Sequence, residues 1–89
     1  MSRQRSLDKI LESEYVTIGE LVRITNSRYS TLKFYTEEGI LNFEQEDEKL
    51  TRRFKREESI KRIEEIKEFK RRGYRINEIK DLLREDPKK

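Results

Sequence analysis

Between residues 17 and 39 the chain carries two short helical patterns separated only by the polar residues TNS at 25–27, and that spacing constrains the fold most. Two helices joined by so short a turn must cross each other, the geometry of a helix-turn-helix. The first pattern opens with Thr17 and Glu20, spaced so that each side chain can satisfy the other's orphan backbone donor in a capping box. Ile18, Leu21 and Val22 then fall on one face. In the second pattern, RYSTLKFYTEEGIL at 28–41, a turn of ~100° per residue puts Tyr29, Leu32 and Tyr35 on one side. These are expected in the core. Ser30, Lys33, Phe34 and Glu37 lie on the other side, which is expected to stay open. Either Ser27 caps this helix with Arg28 in its first turn, or the register differs by one residue. Gly39 supplies a positive-φ stop.

The flanking segments extend this centre into a small domain. Ser6 precedes Leu7, Ile10 and Leu11, a short helical pattern with an N-cap candidate. Residues 40–54, ILNFEQEDEKLTRRF, read as two extended runs around an acidic tip, a hairpin by composition although no Asn-Gly turn is present. Ile60, Ile63, Ile66 and Phe69 recur every third residue up to Gly73, and a last helix uses Ile76, Ile79, Leu82 and Leu83 before Asp86-Pro87 stops it. A hairpin directly after the second helix of a helix-turn-helix is a wing. The expected fold is therefore mainly α with a small β-hairpin wing, a winged helix-turn-helix of about four to five helices. Residues 1–14 form an N-terminal extension with a short helix, 15–84 the winged unit and 85–89 a tail.

Chemistry is narrowed by what the sequence lacks. Without cysteine or histidine there are no disulfides, thiolate nucleophiles, imidazole bases or Cys/His metal sites. No nucleophile–base pair or glycine-rich phosphate loop is present either, so an enzyme is not expected, nor is a cofactor. The N-terminus MSRQRSLDK has no apolar core, so neither export nor a membrane span is indicated and a cytoplasmic location is expected. Charge is segregated along the chain. Residues 36–48 carry six acids and no base, whereas residues 49–75 carry twelve Lys/Arg against five Glu. A basic block of that size suits a phosphate-facing surface.

Several stretches together, TIGELVRIT, TLKFYTEEGIL, the R-x-F of Arg52 to Phe54 and RRGYRINEIKDLL, resemble the DNA-binding domain of MerR-type transcription regulators. The likeness spans residues 15–83. It implies a recognition helix in the major groove and a wing on the flanking backbone or minor groove. Lys33 stands at the family's recognition-helix arginine, Tyr35 at its second tyrosine and Arg52 at its wing arginine. Phe34 stands at the first tyrosine but has no hydroxyl to donate. Ser30 replaces a family arginine, and Lys49-Leu50 replace the wing's Asn-Gly. One residue is inserted between Phe54 and Ile60. The family's long dimerisation helix and effector domain have no counterpart in these 89 residues, so no small-molecule effector or metal sensing is implied.

The expected contacts to double-stranded DNA are Ser27, Arg28, Ser30, Thr31, Lys33, Phe34 and Tyr35 from the helix, and Arg52, Arg53, Lys55 and Arg56 from the returning strand and beyond. Ser27, Ser30 and Thr31 can serve equally as phosphate donors or helix caps. The acidic tip, Glu44, Glu46, Asp47 and Glu48, repels phosphate. The function read from these residues is sequence-specific DNA binding in transcription regulation, without an effector-binding domain. Two alternatives use the same surface. One is an excisionase-like or architectural protein that bends DNA, with copies side by side or dimeric. The other is a protein-interaction adaptor that docks through the acidic wing and Phe34.

Overall fold

The computed structural model describes residues 5–84, and the Asp86-Pro87 stop lies outside them. Among the described residues, the elements run α1 (Leu7–Glu12), β1 (Tyr15–Val16), α2 (Ile18–Thr25), α3 (Tyr29–Glu37), β2 (Phe54–Lys55), α4 (Arg56–Arg71) and α5 (Ile76–Arg84). This is a winged helix-turn-helix. Among the described residues no helix is long and apolar enough to cross a membrane.

The capping box forms as the sequence requires. Thr17 Oγ1 accepts from Glu20 N at 3.2 Å and Glu20 Oε1 accepts from Thr17 N at 3.0 Å. At the other end of α2, Asn26 adopts φ 54°, a left-handed conformation that asparagine tolerates, and this turns the chain into α3. The core is continuous across the fold. Ile10, Val16, Leu21, Leu32, Tyr35, Leu41, Phe54, Ile63, Ile66 and Ile79 are all buried in one cluster. Because α1 contributes Ile10, residues ahead of the helix-turn-helix belong to the same packing unit. Arg5 reinforces this, since its guanidinium donates to both carboxylate oxygens of Glu20 at 2.7 Å and to Ser13 Oγ at 2.8 Å.

Lowering the pH is expected to weaken that joint. The Arg5 guanidinium, with the Thr17 donors, holds the Glu20 carboxyl below its ordinary value of 4.5 against the opposing effect of burial. A depressed folded pKa means that the contribution is complete above the unfolded value and disappears as the pH falls through the folded one. Glu20→Gln should lower the thermal midpoint near neutral pH by a few degrees and should flatten its decline in acid. Equal acid sensitivity in the two proteins would remove Glu20 as the source.

Two sequence expectations need correction, one is narrowed, and one alternative left open is decided. Residues 40–54 do not form a regular hairpin. The wing is closed by a bridge between Glu44 and Arg53, whose backbones exchange hydrogen bonds of 2.7 and 2.8 Å, while the returning strand β2 pairs antiparallel with β1. Like charges along 44–48 disfavour a longer ladder. Instead, side chains organise the tip: Asp47 Oδ1 accepts from Lys49 N and Gln45 Nε2 donates to the Leu50 carbonyl. Tyr29 is 55% exposed, not core. The buried stripe of α3 is Leu32, Tyr35 and Thr36, and Tyr29 lies beyond its edge. Leu82 is likewise exposed on α5, whereas Ile79 is buried. Finally, Arg28 and not Ser27 is the N-cap of α3, so the one-residue register difference holds. The Ser27 hydroxyl is held by Thr25 Oγ1 at 2.8 Å, which diverts it from capping.

Candidate nucleic-acid interface

The residues expected to contact DNA from α3 and its start divide over two sides of the helix. Ser30, Lys33, Phe34 and Glu37 are exposed as expected, and Tyr29 joins them. On the adjoining side, Ser27, Arg28, Thr31 and Tyr35 line an open groove whose opposite wall is Lys67 and Lys70 from α4. The groove exists because α4 crosses the back of the helix-turn-helix. Lys67 Nζ donates to the Thr25 carbonyl at 2.6 Å, closing the C-terminal end of α2 and fixing α4 beside the start of α3. Arg28 gives α3 no side-chain cap, so the helix begins with backbone donors and its positive dipole end facing this cationic groove. Three cations around one depression suit a phosphate. Tyr35 is 3% exposed overall, and its contribution to the wall is therefore small.

The C-terminal end of α3 is held separately. Gly39 takes φ 81°, as its predicted stop requires, and Ile40 N then bonds back to the Tyr35 carbonyl at 3.1 Å. Lys80 of α5 pairs with Glu38 at 2.9 Å. With Leu32, Tyr35 and Thr36 buried and both ends anchored, α3 presents its open side on a fixed base.

The wing residues form a second group. Arg52 lies over the Phe43 ring at 4.4 Å and Arg53 over the Tyr15 ring at 4.8 Å, which orients both cations while leaving both residues exposed. Tyr15 also donates to Glu44 at 3.3 Å. Partial burial, and then the neighbouring Glu44 carboxylate, raise the Tyr15 pKa above its ordinary value, so the ring stays neutral beneath Arg53. Lys55 is exposed in β2. Arg56 differs from the others because it is half-buried, with Nε donating to the Ser13 carbonyl at 2.7 Å. Its guanidinium is therefore partly committed to joining α4 to the segment between α1 and β1.

Sequence reasoning missed Lys67 as a groove residue and placed Tyr29 in the core. For Lys67 a signal existed: it follows the buried Ile63 and Ile66 closely enough to lie at the edge of α4's apolar stripe. What it faces required the fold. Among the described residues no cluster of three or more Asp or Glu is arranged to hold a metal.

A crossed helix pair, a cationic groove at the second helix's start and an arginine-bearing wing define the class of winged helix-turn-helix DNA-binding proteins. Within that class, the family described as MerR HTH family regulatory protein matches residues 16–86. The chain belongs to that family and is a DNA-binding transcription regulator. Neither curated proteins nor solved structures gave a match.

Proposed function

We propose that this regulator binds specific double-stranded DNA sequences by laying α3 in the major groove while the groove between α3 and α4 and the wing hold the backbone. The observation that carries this reading is the placement of Arg28, Lys67 and Lys70 around one depression beside the open side of α3. Ser27, Ser30 and Thr31 supply short donors, Lys33 a base-edge or phosphate contact, and Arg52, Arg53, Lys55 and the free part of Arg56 the flanking contacts. The acidic wing tip stays off the duplex because phosphate repels it. Residues 15–84 are the DNA-binding unit and 1–14 and 85–89 its flanking extension and tail, with residues 5–14 fastened to the unit through Arg5 and Ile10. The partner is duplex DNA, engaged by single copies or by copies side by side, in the cytoplasm at the nucleoid. No small-molecule effector or cofactor is assigned to these residues.

Selection of bound sites from a random duplex pool tests the reading, with recovery of a defined motif expected. With about five Lys/Arg–phosphate contacts, log Kobs should fall with log salt at a slope near −4 to −5. Arg52→Ala should weaken all sequences alike and flatten the slope by about one unit. An unchanged slope removes Arg52 from the interface. If no duplex is retained even in dilute salt, the reading fails, and the exposed Leu50 on the acidic wing would then favour a protein-docking adaptor.

A further inference from the structure

The open side of α3 carries one group whose chemistry is unusually restrictive. Phe34 is 41% exposed and has neither a donor nor an acceptor. Its ring is steadied by Tyr35, with centroids 6.3 Å apart and planes at 53°, and Tyr35 itself is fixed in the core. Glu37 lies one turn on and is also exposed. A carboxylate there repels phosphate, so backbone is a poor partner for this part of the helix and base edges are the better one. At a base edge in the major groove, the apolar feature that an aromatic ring can cover without stranding a polar atom is the 5-methyl group of thymine. Tyr29, at the opposite margin of the same side, keeps a hydroxyl and is not restricted in this way.

We infer that Phe34 is a specificity-determining residue that reads a thymine through its 5-methyl group. This rests on the reading of α3 as the groove-facing helix. Replacing thymine by deoxyuridine removes the methyl and leaves every hydrogen-bonding atom in place, so it isolates the effect.

The experiment takes the site recovered from the random pool and substitutes deoxyuridine for each thymine in turn, measuring binding by the full chain and by Phe34→Ala. At one position, loss of the methyl should weaken the unaltered protein roughly four-fold, the factor expected for burial of one methyl group. The same substitution should leave Phe34→Ala unaffected. Phe34→Leu, which keeps an apolar side chain and guards against a folding defect, should retain part of the discrimination. If methyl loss weakens both proteins equally, or has no effect at any position, Phe34 does not read thymine although the protein binds DNA. If no duplex is bound by the unaltered chain, the DNA-binding reading falls first and this inference falls with it.

Discussion

Phe54→Ala is expected to destabilise the protein by about 3–5 kcal/mol, the range for removing a fully buried aromatic ring. Phe54 is 0% exposed, pairs with Val16 across β1–β2 and packs at a tilt against Phe43 with ring centroids 6.0 Å apart. At on the order of 0.1 kcal/mol per residue, a chain of this length has a total stability of about 9 kcal/mol, so this one ring accounts for a third to a half of it. The thermal midpoint should fall by roughly 15–30 °C in a circular-dichroism melt. Phe43→Ala, at a partly buried site, should have a distinctly smaller effect. A loss below about 1 kcal/mol for Phe54→Ala would mean that the strand pair and wing are not packed as described. Because Arg52 and Arg53 immediately precede Phe54, the same substitution should also weaken DNA binding.

The second large effect concerns charge. Arg28→Ala combined with Lys70→Ala should make the log–log salt slope shallower by about two units and weaken binding on the order of 50-fold at ~0.1 M salt, where each counterion-releasing contact contributes about a decade. Both residues line the groove and both are exposed, so the fold should be unaffected. Lys67 makes a poorer probe, since its ammonium group already closes the end of α2 and its loss would mix stability with binding. Titration of the double variant against a fixed site at several salt concentrations measures the slope directly. A slope equal to that of the unaltered protein would place the phosphate contacts elsewhere.

Features set by residues near one another in the chain were legible in the sequence, whereas those set by tertiary packing were less so. Thr17 and Glu20 formed their capping box and Gly39 took its left-handed turn, because each depends on residues within a turn or two, while the apolar spacing that marked Leu32 and Tyr35 as core was met by partners from the rest of the fold. The start of α3 was left open between two registers. Ser27 is a good cap by type, but Thr25 holds its hydroxyl first, a competition that composition does not reveal. Tyr29 fitted an apolar stripe on a wheel, yet the neighbours that would cover it are absent at that edge of α3. The exposure of Ser30, Lys33 and Phe34 on one side of α3 was legible. The cationic groove was not, because it joins residues about 40 positions apart in sequence. The clamp of Arg5 on Glu20 is equally non-local.

β2 passes directly into α4, and α4 carries Lys70 in its last turn, so the wing and the groove beside α3 are attached to opposite ends of a single rod. Fourteen steps from Arg56 to Lys70, at about 1.5 Å each, give roughly 21 Å, close to six base-pair steps of about 3.4 Å. If the wing and the groove both hold the duplex as proposed, a rod of that kind would act as a ruler between two stretches of sugar–phosphate chain, and the shape and winding of a target would count alongside its letters.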